Sequence, residues 1–181
     1  MFERALISEG RSLKRFGALL LIVLGFIVIV VSVLFTFYNA LISNPKAASL
    51  PHTLADQSLR IAVYGEEAID QVVQLHGKRF ALISGGVGTY GNQDEVTLWV
   101  TGTIFSRSAQ EMVEAMQEKI EQNETPFQPV GILNHAGHSV RKLSGMGQQH
   151  FYFQAGALVV WLAADPYLAE DALDDAMQFF P

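Results

Sequence analysis

Ser84 to Gln117 reads SGGVGTYGNQDEVTLWVTGTIFSRSAQEMVEAMQ, and Ser144 to Gln178 reads SGMGQQHFYFQAGALVVWLAADPYLAEDALDDAMQ. Laid side by side with small gaps, both stretches start on a Ser-Gly turn. Both then pass through a hairpin into an aliphatic-Trp-aliphatic strand, Leu98-Trp99-Val100 and Val160-Trp161-Leu162, and enter an amphipathic helix ending in Ala-Met-Gln. The likeness reads as a duplicated ββα unit. It predicts an α+β fold in which the two Trp-bearing strands occupy equivalent places in one antiparallel sheet, with the helices packed on one face. The unbroken apolar run from Leu158 to Ala163 suits a central strand covered on both sides.

Working outward, Ala109, Met112, Val113, Met116 and Ile120 fall at helical spacing, and Ser108 with Glu111 supplies the residue types of a capping box. Asp165-Pro166 reads as the N-cap and first position of the last helix, whose buried stripe is Ala169, Ala172, Leu173, Ala176, Met177 and Phe180. Glu66 to Leu75 has a helical period, with His76 at its C-terminal end and Gly77 as the stop. Phe80–Ser84, Val96–Thr103, Val130–Leu133 and Ser139–Leu143 read as strands, and His150–Gln154 pairs with Ala157–Ala163 as a hairpin. Residues 43–58, SNPKAASLPHTLADQS, show no sustained period and read as a linker before a domain at 59–181.

Upstream lies a different kind of sequence. Phe16 to Ile42 is FGALLLIVLGFIVIVVSVLFTFYNALI, ionisable only at Tyr38. About 20 apolar residues suffice to cross a bilayer, so residues 16–42 read as a transmembrane helix. A signal peptide has a shorter apolar core, about 7–15 residues, and a small-x-small cleavage site that is poorly formed here. Arg4, Arg11, Lys14 and Arg15 precede the run, whereas Lys46 is the only basic residue between it and Arg60. The positive-inside rule therefore places residues 1–15 in the cytoplasm and the following domain outside the cell membrane.

The chain of 181 residues has a net charge of −6, but the two parts differ. From Leu50 onward seven Lys/Arg face sixteen Asp/Glu, a balance of −9, which disfavours nucleic acid as a partner. Asp165, Glu170, Asp171, Asp174 and Asp175 form an acidic stretch that reads as a solvated helix face. The absence of cysteine excludes disulfides, thiolate metal sites and cysteine nucleophiles.

Candidate chemistry is thin. Gly86-Val87-Gly88-Thr89-Tyr90-Gly91 matches the dinucleotide fingerprint, but Asn92-Gln93-Asp94-Glu95 and a strand follow where a helix N-terminus is required. The glycines read instead as a strand connection with positive φ. His135, His138 and His150 are candidate metal ligands whose spacing fits no known ligand helix. Asn123-Glu124-Thr125 is a glycosylation triplet followed by Pro126. Alternation sends Phe151 and Phe153 to one face of their strand and His150, Tyr152 and Gln154 to the other, where the latter three are candidate partner contacts. No catalytic residue and no cofactor site is assigned. The reading is a non-enzymatic, single-pass membrane protein whose partners are the lipid bilayer and another membrane or envelope protein, an accessory or assembly component. An extracytoplasmic small-ligand or sensory domain is the alternative, and an anchored metal-dependent enzyme the third reading.

Overall fold

The computed structural model describes residues 3–76, 80–122, 124–135 and 137–181, with the backbone alone for 3–15 and His76. Two compact units divide near residue 41. The first is helix α1, Glu3–Ser43. Its apolar portion Phe16–Ser43 is 28 residues long with a mean hydropathy of 3.3, enough to cross a membrane; a membrane anchor and a signal sequence both fit that description. Ser32 and Thr36 donate their hydroxyls back to the carbonyls of Val28 and Ser32, so these two hydroxyls are satisfied within the helix.

The second unit is α+β. Among the described residues its elements run β1 (Lys46–Ala47), β2 (Thr53–Leu54), β3 (Gln57–Tyr64), α2 (Gly65–His76), β4 (Ser84–Tyr90), β5 (Val96–Gly102), α3 (Ser106–Glu121), β6 (Gln128–His135), β7 (His138–Gly145), β8 (Gln148–Ala155), β9 (Leu158–Ala164) and α4 (Ala169–Phe179). They build one sheet in the order β2-β3-β4-β5-β9-β8-β7-β6, antiparallel throughout, with β1 added parallel to the start of β4.

β5 and β9 meet at the centre, with Trp99 opposite Trp161, Leu98 opposite Leu162 and Val100 opposite Val160. The two Trp-bearing strands thus are neighbours about a local two-fold. The helices do not follow it. Leu162, Val160, Phe151 and Phe153 pack with Ala172, Leu173 and Met177 of α4. Val159, Tyr152 and Trp161, on the opposite face, pack with Ala109 and Val113 of α3. The expectation of helices on one face is therefore corrected: α2 and α3 share a face and α4 lies on the other. The ββα likeness extends to the hairpins but not to helix placement. β9 is apolar on both sides and β5 places Trp99 opposite its aliphatic side, so the pattern of the central strands does not say which side each following helix covers.

The glycine run is the second correction. Gly85, Gly86 and Gly88 lie within β4 itself, and none of them has positive φ; the left-handed glycine is Gly91, in the following turn at φ 83°. These residues are small because both faces of β4 are crossed at close range. A Cβ on Gly85 would sit 2.9 Å from the Gly65 carbonyl oxygen and 2.9 Å from Ile69 Cγ1 of α2. On the other face a Cβ on Gly86 would meet the Ala48 carbonyl oxygen at 3.0 Å, and one on Gly88 would meet Leu59 Cδ1 at 2.9 Å. Phe80 to Ile83 precede the strand rather than form it.

Residues 46–58 are part of the domain and not a linker. The Lys46 N–H donates to Ile83 O at 2.8 Å and Ala48 N–H to Gly85 O at 2.9 Å, and Leu50, Leu54 and Ala55 are buried in the α4-side core. Tyr90 Oη donates to Pro51 O at 3.0 Å and Ala55 N–H to Asp175 Oδ2 at 2.8 Å. Strands of two residues leave no period in the sequence. The helix starts also differ. Phe105 is the N-cap of α3, with no side-chain cap bond, and Ser108 lies inside the helix. α4 begins at Ala169 after a turn over Pro166 to Leu168, so Asp165 does not cap it and accepts from Gln148 Nε2 instead. The buried stripe from Ala169 to Phe180 is as expected. Gly77 lies outside the described residues, as does the His76 side chain.

A methyl group at position 85 has no room, whereas Gly131 on β6 has nothing within 4 Å of a built Cβ. Gly85→Ala should cost about 1–3 kcal/mol by overpacking, and Gly131→Ala should lie between neutral and a gain of about 1 kcal/mol. Denaturant unfolding of the full chain in detergent micelles measures both, and equal stability of the two variants would refute the close-crossing account.

Candidate functional site

β8 delivers the aromatic residues that stand out in the sequence, and its alternation is as read. His150, Tyr152 and Gln154 point to the α3 side, while Phe151 and Phe153 point to the α4 side. What the alternation did not reveal is that both sides are covered. His150 is 4% exposed and Tyr152 1%, because α3 and the segment carrying Phe127 close over them. Neither can touch a partner protein.

These residues form a packed polar-aromatic layer. The Trp161 indole N–H donates to His150 Nδ1 at 3.3 Å, and His150 Nε2 donates to Gly145 O at 3.1 Å. Since an indole only donates and a carbonyl only accepts, this network requires the neutral imidazole with its proton on Nε2. Burial depresses the His150 pKa below its ordinary value, outweighing the opposing bond to Gly145. Phe127 packs 4.6 Å from the His150 ring and 5.2 Å from Trp161, and Tyr152 stacks on Trp161 at 5.2 Å with 12° between planes. Burial pushes the Tyr152 phenol up to about 12 despite nearby Arg141, so it stays protonated. Tyr90 is raised as well, again by burial first. Arg141 reaches from β7 to Gln117 Oε1 of α3 at 2.9 Å and lies 5.8 Å from the Tyr152 ring centroid. Gln154, half-buried, donates through Nε2 to Ser106 O and Gly156 O, both at 2.8 Å, and ties the end of β8 to the first residue of α3.

The three histidines do not converge. His135 and His138 face each other as the closing pair of the β6–β7 hairpin. His135 Nε2 lies 3.0 Å from Asp174 Oδ1 on α4, and His138 Nδ1 donates to Gln154 O at 2.8 Å. His150 sits beneath the opposite face. Among the described residues no group of three or more His, Cys, Asp or Glu is placed to share a metal ion. The acidic stretch is also put to use within the fold: Glu170 pairs with Lys142, Asp174 with His135, and Asp175 with the Ala55 amide. Asn123 lies outside the described residues.

Among the exposed features of the described residues, two bear on binding. One is a shallow groove of about 280 Å³ lined by Gln110, Val113, Glu114, His138, Ser139 and Arg141. The other is the pair of sheet edges, which sequence reasoning did not single out. At one end β2 and the His52 carbonyl cover β3 as far as Leu59, leaving Arg60 to Tyr64 with Ile61 60% exposed. At the other end β6 exposes Val130 and Ile132 at 60% and 57%. The available sequence signal was the lack of any charged residue from Thr125 to Val140. No protein-family model, curated protein or solved structure matches the chain.

A histidine with a depressed folded pKa binds fewer protons folded than unfolded. Its contribution to stability is therefore full above the ordinary value near 6.5 and is lost as pH falls through the depressed folded value. In nitrogen-15 spectra of the full chain, the His150 ring should remain the neutral Nε2–H tautomer at pH 6.5. An imidazolium signal there would contradict the network. His150→Gln should weaken the loss of thermal stability between pH 6.5 and 5.

Proposed function

We propose that this protein is a single-pass membrane protein, with its N-terminus in the cytoplasm, that holds its α+β domain outside the cell membrane and binds another membrane or envelope protein without chemistry of its own. The observation that carries this reading is an apolar stretch on an open strand edge, one of several exposed apolar sites that also include Phe105, Met146 and Tyr167. The exposed Ile61 and Tyr64 sit on the free edge of β3, beside Arg60, and not in a cleft. A sheet edge offers backbone donors and acceptors to an extended segment, and neighbouring charge adds selectivity. Arg60 and the exposed Glu66 and Glu67 at the start of α2 supply that charge here.

Among the described residues the groups whose titration is displaced, Tyr90, His150 and Tyr152, are packed inside the fold, unlike the usual acid–base residue of an active site. For the small-ligand alternative the described residues offer the groove beside His138 and Arg141, whose volume of about 280 Å³ falls just under the usual range of roughly 300–1,000 Å³ for ligand sites. An uncleaved anchor, rather than a cleaved signal, is supported by the length of the apolar run and the basic flank before it.

Alkaline phosphatase fused after Pro181 should be active outside the cytoplasm, and an N-terminal tag should stay with the full-length chain in the membrane fraction. An inactive fusion refutes the orientation, and loss of the tag from the mature protein refutes the anchor. Ile61→Glu should reduce recovery of the co-purifying membrane protein at least tenfold from detergent extracts; undiminished recovery would remove β3 as the contact.

A further inference from the structure

β6 is the last strand of the sheet and, among the described residues, pairs on one side only, with β7. The His135–His138 pair closes the hairpin across two residues, a pair that exchanges its backbone bonds. Alternation from there turns the N–H and C=O of Ile132 and Asn134 to the outer edge. Proteins usually guard such an edge with charge, proline or a bulge. The first part of β6 carries Pro129 and a bulge between Pro129 and Gly131, but Gly131 to His135 has neither a bulge nor a Lys, Arg, Asp or Glu.

We propose that this edge pairs with the β6 of a second copy of the chain, antiparallel about a two-fold axis at Leu133. In that register Ile132 exchanges both backbone bonds with Asn134 of the other copy, and Asn134 with its Ile132, giving four bonds across the axis. Pro129, which has no N–H to give, falls outside the paired stretch. Leu133 meets its mate in the close, non-hydrogen-bonded position on the α4 side, and the two Ile132 side chains come together diagonally on the α3 side.

Electrostatics select a second copy at this edge. The domain is strongly acidic, yet residues 125–164 contain no Asp or Glu, and their only Lys or Arg residues are Arg141 and Lys142. The strands at this end thus bring no acid of their own to the seam, and the nearby α4 acids Asp174 and Glu170 are already paired with His135 and Lys142. The pairing segment itself carries no formal charge to oppose its own image. The inference rests on the membrane-anchor reading for its second support: anchored copies share one plane, which raises their effective concentration for one another.

The chain has no native cysteine, so single-cysteine cross-linking is clean. Leu133→Cys in native membranes should give a disulfide-linked dimer on mild oxidation, because a non-hydrogen-bonded antiparallel pair stands at about 4.5 Å between Cα atoms, within disulfide reach. Ile61→Cys on the far edge should give none. The wild-type chain in lipid nanodiscs or detergent should have the mass of a dimer. Ile132→Lys, at a mostly exposed side chain and with the backbone bonds to β7 kept, should weaken the dimer at least tenfold with its circular-dichroism spectrum unchanged. A monomeric wild type overturns the proposal, as does cross-linking through position 61 in place of 133. So does a different protein held at β6 and released by Ile132→Lys. The phosphatase and tag experiments read the anchor independently of all of these.

Discussion

The central strand β9 is apolar on both sides, and β5 beside it carries Leu98 and Val100 on one side and Trp99 between two threonines on the other, and that fact organises the domain. Leu98, Val100, Val160 and Leu162 face one way and Trp99, Val159 and Trp161 the other, so a single covering layer would leave half of this surface in water. At roughly 25 cal/mol per Å² of apolar surface, leaving either side bare would forfeit a large part of the core. The fold meets the requirement with unlike materials. α2 and α3 cover one side, while α4 and the extended segment around Ala48 to Ala55 cover the other. The chain's order makes this possible, since the segment before β3 crosses the sheet before α4 arrives to pack beside it.

Covering both sides constrains β4. It lies between a helix and an extended segment, each at close range, and a side chain at Gly85, Gly86 or Gly88 would push one of them away. A motif that resembles a phosphate-binding loop is thus a packing device. The same demand explains His150. Its imidazole fills the space between Phe127 and Trp161 and satisfies the indole N–H, which an apolar residue there would leave buried without a partner. The neutral ring suits this place and a charged one does not, so a residue type associated with ligand binding serves the interior.

What could be read in the sequence follows from these constraints. Helices α3 and α4 and the Trp strands were legible because a stripe of Ala, Met and Val at helical spacing, or an aliphatic-Trp-aliphatic run, has few alternative readings. The covering segment was not, because Leu50, Leu54 and Ala55 are buried one at a time between prolines and small polar residues, with no period to reveal them. β3 carries a strand's alternation in Leu59, Ile61 and Val63, but the run is short and abuts the non-periodic segment before it, so it went unassigned. Assigning His150 and Tyr152 to a contact surface failed for a three-dimensional reason: alternation separates two sides of a strand and cannot tell whether a helix covers the second. The acidic stretch likewise looks like solvated surface until Lys142, His135 and the Ala55 amide are brought to it.

With both sides of the sheet occupied, its edges are where unsatisfied backbone meets solvent, and the two edges differ in chemistry. The β3 edge is partly capped by β2 and carries Arg60, with Glu66 and Glu67 nearby, so a segment docking there meets charges that distinguish one partner from another. The β6 edge has no cap, and from Gly131 to His135 it presents only neutral side chains and one imidazole already held by Asp174. Such an edge discriminates poorly between partners, and in a freely diffusing protein it would be an aggregation hazard. Its liability falls when the chain is tethered in a membrane and the edge is closed by symmetry, because a two-fold pair uses up both β6 edges at once and leaves only the β3 edges, which β2 partly caps and charge flanks.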